Sequence, residues 1–175
     1  KKLVGYFQQL FLEQEECYSA LPKSIVHNDV NDYNILVSLD LQQPTVSGIF
    51  DFGDATYTQA INELAILLAY AIMEVPDPLD AALDVIKGYN KQYAFSEKEL
   101  SCLYALVGMR LVTTVTKSAL RKREDTFSDL FIKLNGLQCF NLINFFQCYR
   151  LNSRACSMII IIKGNQCSTF LNREA

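Results

Sequence analysis

Apolar residues recur at helical spacing from the start of the chain, where Leu3, Val4, Phe7, Leu10 and Phe11 share one face. Pro22 forbids continuing that helix far beyond Ser19. After Ile25-Val26 the helical period gives way to a polar stretch at 27–34. Two short strand-like runs follow, 35–39 and 46–50, on either side of a proline-bearing polar segment, and together they predict a β-hairpin. A second polar cluster, Asp51-Phe52-Gly53-Asp54, comes directly after it. From Ile61 to about residue 74 a helix has no polar face, the pattern of a buried helix around which a core is built. Asp77 and Pro78 then supply an N-cap and a first-turn proline for a helix carrying Leu79, Ala82, Ile86, Tyr89 and Tyr93. Ser96-Glu97-Lys98-Glu99 has the form of a capping box and opens a long helix through Leu103, Val107, Leu111 and Val115 to about Leu120.

The pattern predicts an α+β domain, mostly helical, with one small hairpin. With 175 residues, half of them hydrophobic, the chain is long enough to bury a core, and its 11 glycines and prolines rule out collagen-like or disordered classes. The 16 basic and 19 acidic side chains leave a net charge of −3, which removes any general electrostatic attraction to nucleic acid or an anionic membrane. Charge is uneven along the chain. Residues 131–175 hold five basic side chains against one acidic, a net +4, whereas residues 1–130 carry −7. The sequence therefore divides into a domain at 1–130 and a tail at 131–175 to which periodicity assigns no fold. Four of the six cysteines, Cys139, Cys148, Cys156 and Cys167, lie in that tail, too widely spaced and without a histidine for a zinc site. No C-x-x-C pair or disulfide framework is present, which favours a reducing compartment, the cytoplasm. No apolar run approaches the ~18–20 residues of a membrane span, and 64–73 and 158–162 are expected to be interior segments.

The chemistry concentrates in His27-Asn28-Asp29-Val30-Asn31-Asp32-Tyr33-Asn34 and Asp51-Phe52-Gly53-Asp54. A hairpin turning near Gln42-Gln43 sets Asn34 opposite Asp51 at its open end. An amide oxygen and a carboxylate converging there suit Mg²⁺, which takes one or two protein ligands and completes its shell with phosphate and water. Asp29, five residues before Asn34, is then placed to accept a proton from a hydroxyl beside the metal-bound phosphate.

The spacing H-x-D-x-x-x-x-N, followed by a strand-borne D-F-G, matches the signature pair of protein kinases. The wording His27-Asn28-Asp29, Asn31-Asp32-Tyr33-Asn34-Ile35-Leu36 and Ile49-Phe50-Asp51-Phe52-Gly53-Asp54-Ala55 resembles the aminoglycoside phosphotransferase superfamily, nearest to hydroxylysine kinases and the phosphotransferase domains fused to class III aminotransferases. That resemblance covers residues 1–125 and implies the C-terminal lobe of a protein-kinase-like fold, its hairpin carrying metal ligands. It implies Asp29 as catalytic base, Asn34 and Asp51 as metal ligands, and His27 as a brace between the two motif segments. Glu63-Leu64-Ala65 resembles the acidic step that opens the buried helix in this superfamily, where the carboxylate supports the catalytic loop. Asp32 and Asp54, beside motif residues, are candidates to contact a substrate ammonium, to assist the metal, or simply to face water.

Only seven residues separate Gly53 from the helix at Ile61, and no Ala-Pro-Glu segment follows, so the acceptor should be small rather than a peptide. The implied activity is Mg²⁺-dependent transfer of the ATP γ-phosphate to a hydroxyl of a small amine-bearing molecule such as hydroxylysine, an amino alcohol or an aminoglycoside. The cofactor implied is Mg²⁺ with ATP, and neither nucleic acid nor membrane is an expected partner. No glycine-rich phosphate loop is found, and the sequence begins within the second lobe of the family's architecture, so a first lobe or fused domain is an expected partner. Two alternatives follow from the same residues. One is a catalytically silent kinase-like binding module, and the other a metal-dependent hydrolase using Asp29, Asp32 and Asp51. The basic group Lys117, Arg121, Lys122 and Arg123 is read as complementing a helix C-terminus.

Overall fold

A computed structural model describes residues 2–121 apart from positions 41 and 74. The tail at 131–175, its four cysteines, the apolar run at 158–162, Lys122 and Arg123 lie outside the described residues.

The chain opens with α1 (Lys2–Leu12), which buries Phe7 and Leu10 and leaves Gln8 and Gln9 in solvent, as its apolar spacing requires. A short α2 (Glu15–Ser19) ends ahead of Pro22, whose carbonyl accepts the Ala60 N–H at 2.9 Å. Four strands follow: β1 (Lys23–Val26), β2 (Ile35–Val37), β3 (Val46–Ile49) and β4 (Thr56–Gln59). The hairpin β2–β3 matches the strand-like runs. A second ribbon does not appear in the sequence pattern: β1 pairs antiparallel with β4, from Lys23 opposite Gln59 to Val26 opposite Thr56. The short link between Gly53 and the buried helix thus holds a strand. Periodicity misses it because only one of its four residues, the polar Gln59, is buried, and three of the four in β1 are exposed.

This pairing fixes the site. The connector at 27–34 leaves β1 and enters β2, and the connector at 50–55 leaves β3 and enters β4. With β1 bonded to β4 and β2 to β3, the two connectors must cross the gap between the ribbons side by side.

Beneath them lies α3 (Ile61–Ala71), with Ile61, Leu64, Ala65, Ile66, Leu68 and Ala69 all buried. It stops two residues short of the end of the apolar run at 64–73. Packed along it is α5 (Glu97–Arg121), while α1 lies against α5 and α4 (Pro78–Asn90) against α3. Both later helices start as their sequences specify. Asp77 Oδ1 accepts the N–H groups of Leu79 and Asp80, at 3.0 and 3.2 Å. Glu99 Oε2 accepts the Ser96 N–H at 2.8 Å, and Ser96 Oγ accepts the Glu99 N–H at 3.3 Å, closing the capping box. Among the described residues no helix is long and apolar enough to cross a membrane.

Candidate active site

His27 begins the first connector and ties it to the second. Its Nε2 donates to the Phe50 carbonyl at 2.8 Å, and its ring lies 4.7 Å from that of Phe52, so it grips the chain on both sides of Asp51. Nδ1 is buried without a hydrogen-bond partner. The next residue, Asn28, adopts a left-handed conformation (φ 66°), which side-chain amides tolerate better than most. Its N–H meets Glu63 Oε2 at 2.9 Å, in the first turn of α3.

Asp29 comes next, and the asparagines that follow are folded back onto it. Asn31 Nδ2 donates to the Asp29 carbonyl and to Oδ2, both at 3.1 Å. Asn34 Nδ2 donates to the same carbonyl at 2.9 Å and to Oδ2 at 3.3 Å. A carbonyl and a carboxylate only accept, so the Asn34 nitrogen must face them and its Oδ1 is left out of these contacts. Asn31 Oδ1 accepts the Tyr33 N–H at 2.9 Å, which turns the chain toward β2.

The other carboxylate oxygen is taken by a residue that sequence reasoning missed. Arg110 Nη2, from α5, donates to Asp29 Oδ1 at 2.5 Å and to the Tyr70 hydroxyl at 2.9 Å, with the guanidinium 5.5 Å from the Tyr70 ring centre. The available signal was one arginine set between Met109 and Leu111 on a helix whose neighbouring turns are buried. A lone cation within such a span needs an anionic partner.

The hairpin register differs from the expected one. Ile35 faces Ile49 and Leu36 faces Gly48, so Asn34 stands opposite Phe50, whose N–H donates to the Asn34 carbonyl at 3.1 Å. Asp51 is one position further on. Two features displace the pairing: an irregularity between Leu36 and Val37, which faces Val46, and a turn wound early by Asp40, whose Oδ1 accepts the N–H of Gln42 at 3.0 Å. Asp51 itself is left-handed (φ 62°) and exposed. Its Oδ1 folds back to within 3.3 Å of where a Cβ on Gly53 would sit, so the glycine leaves room for that carboxylate. Asp32 and Asp54 are exposed on the first and second connectors respectively.

The oxygen donors present are of the type that suits Mg²⁺. They are a free amide oxygen on Asn34 and an exposed carboxylate on Asp51, both hard oxygen ligands on adjoining connectors. Among the described residues no three histidine, cysteine, aspartate or glutamate side chains converge as a metal site. Asp29, Asp32 and Asp51 therefore do not form the triad that a metal-dependent hydrolase would use. Lys117, on the exposed face of α5, stands apart from these contacts.

The sequence matches the phosphotransferase enzyme family over residues 4–96. Among curated proteins it is similar to hydroxylysine kinases. It is 33% identical to that of Xenopus laevis over 114 residues, covering 62% of this chain and 30% of the relative. The figures for the Danio rerio protein are 40% over 87 residues, 49% and 24%, and for the Mus musculus protein 32% over 100 residues, 54% and 27%. The chain thus spans about a quarter to a third of the length of these relatives. No solved structure matches it significantly.

Proposed function

The chain belongs to the phosphotransferase enzyme family, and on that premise we propose that it carries the acceptor half of a small-molecule kinase. It would transfer the γ-phosphoryl group of ATP to the hydroxyl of a small amine-bearing compound such as hydroxylysine, as the C-terminal lobe of a kinase-like fold. The observation that carries this reading is the pair of hydrogen bonds from Asn34 Nδ2 to Asp29. They hold the proposed base still and leave Asn34 Oδ1 for a metal.

When bound, Mg²⁺ with ATP supplies the transferable phosphoryl group and neutralises its charge, with Asn34 and Asp51 as the protein ligands. Asp29 orients the acceptor hydroxyl and takes its proton. His27 and Glu63 touch neither partner and act by position: His27 holds the Asp51 segment, and Glu63 holds the backbone next to Asp29. Asp32 and Asp54 are the proposed contacts for the acceptor ammonium.

The test follows radiolabelled phosphate from ATP to hydroxylysine with the full chain, with and without Mg²⁺. Transfer should require the metal and fall by about 10²–10⁴-fold in Asp29→Ala, the range expected for loss of a positioned base. No metal-dependent transfer, or transfer untouched by Asp29→Ala, would overturn the reading.

A further inference from the structure

We infer that Arg110 is a specificity-determining residue that receives a carboxylate of the acceptor, so that the site takes zwitterionic hydroxy amino acids in preference to wholly cationic amino alcohols or aminoglycosides. The inference rests on the kinase reading, because it takes Asp29 as the place to which the reacting hydroxyl comes.

Asp29 fixes where that hydroxyl must lie. To pass its proton it has to come within about 2.6–3.2 Å of a carboxylate oxygen. Oδ2 is engaged by two asparagine amides and Oδ1 by Arg110 Nη2, so any acceptor in contact with Asp29 also lies within a few ångströms of a guanidinium. Arginine stays charged under all ordinary conditions. The acidic residues around the two motifs favour a cation at long range, yet the group nearest the reacting hydroxyl is a neutralised pair.

The donor inventory shows what that pair can still bind. Nη2 spends both of its hydrogens on Asp29 and the Tyr70 hydroxyl, and Nε is buried without a partner and closed to an acceptor, so the two N–H groups of Nη1, which is neither buried nor hydrogen-bonded, are the ones a carboxylate can reach. The side chains of Arg110 and Asp29 keep 20% and 26% of their exposure, so an acceptor can reach them. Tyr70 supports the guanidinium through both its hydroxyl and its ring face, and Tyr70 and Arg110 stand on the packed helices α3 and α5. The fork is therefore held in place independently of Asp29. A planar fork with unspent N–H groups matches a carboxylate, which can lie a few bonds from the reacting hydroxyl in an amino acid and is lacking in an amino alcohol.

Acceptor binding tests this without requiring turnover. The full chain is titrated calorimetrically with hydroxylysine and with its decarboxylated counterpart, which keeps the hydroxyl and both amines. The native protein should bind the amino acid about tenfold more tightly, about 1.4 kcal/mol. Arg110→Gln should bind both equally and weakly, and Arg110→Lys should retain part of the preference, which controls for loss of folding. Equal affinities in the native protein, a preference that survives Arg110→Gln, or binding of neither compound overturns the inference. The two readings fail separately. Metal-dependent transfer to hydroxylysine with no Arg110-dependent preference removes only the role of Arg110. Arg110-dependent binding without any phosphoryl transfer removes only the kinase.

Discussion

Asn28 and Glu63, 35 positions apart, are joined by a hydrogen bond of 2.9 Å from the backbone N–H of the first to Oε2 of the second. Asn28 is one of two non-glycine residues with positive φ among those described, and the other is Asp51. Each of the two connectors therefore has a left-handed residue beside or at a motif aspartate. Glu63 sits in the first turn of α3, where the helix dipole favours a carboxylate, and so it is stable in the place from which it satisfies Asn28. Glu63→Ala should lower stability by about 1.5–3 kcal/mol, the usual worth of a hydrogen bond to a charged group. Glu63→Gln, which keeps an acceptor oxygen, should lose less than half of that. Urea unfolding of the three proteins decides the matter, and equal midpoints would show that the bond contributes nothing.

Cys102 on α5 is 1% exposed, and burial, together with the neighbouring Cys17 thiol, pushes its pKa up to about 11. A thiol that holds its proton longer in the folded state than in the unfolded one makes stability fall as pH rises. The loss begins near the unfolded value of about 8.5–9 and is complete once the folded pKa is passed. Burial also raises Tyr89 and Tyr93, which adds loss in the same direction at still higher pH. Unfolding midpoints should therefore drop between about pH 9 and 11, and Cys102→Ala should flatten the first part of that fall. An identical slope in the variant would exclude Cys102 as its source.

The helices were legible because their apolar residues repeat at a helical period and their starts carry explicit signals, Asp77-Pro78 and Ser96 with Glu99. The adjacency of the two connectors was legible as spacing, and the structure sets His27, Asn34 and Glu63 in one continuous network with the first connector. Three features were not. The β1–β4 ribbon buries too little to leave an alternating pattern. The hairpin register depends on where Asp40 winds the turn and on the irregularity at Leu36/Val37, neither of which strand propensity encodes. Arg110 reaches Asp29 across 81 positions through the packing of α5 against α3, and local sequence carries no record of such a distance.

Gly108 on α5 faces Phe7 of α1, and a Cβ there would overlap the Phe7 ring, which is fully buried. On helix propensity alone Gly108→Ala should stabilise the protein by roughly 0.8–1 kcal/mol. Overpacking against a ring with nowhere to move costs typically ~1–3 kcal/mol and should win. The variant is therefore expected to unfold at lower urea. Phe7→Leu in the Gly108→Ala background should recover part of the loss by making room. A stabilised Gly108→Ala protein would mean that α1 does not approach α5 this closely.

His27 tests how the Asp51 segment is held, since its two contacts flank that residue at Phe50 and Phe52. His27→Phe keeps an aromatic ring against Phe52 but removes the donor to the Phe50 carbonyl. Its effect on stability should be small, within about 1 kcal/mol, because the lost hydrogen bond is offset by removing the buried, unpartnered Nδ1. Activity should respond far more strongly. With the Phe50 carbonyl released, the segment is held there only through the Phe50 N–H, and on the proposed kinase reading the Mg²⁺ concentration giving half-maximal phosphoryl transfer should rise about tenfold, the range seen when outer-shell partners of a metal site are removed. His27→Gln, which retains a side-chain donor, should recover much of the metal response without the ring contact. If His27→Phe lowers stability strongly but leaves the Mg²⁺ dependence unchanged, the residue supports the fold and has no part in positioning Asp51.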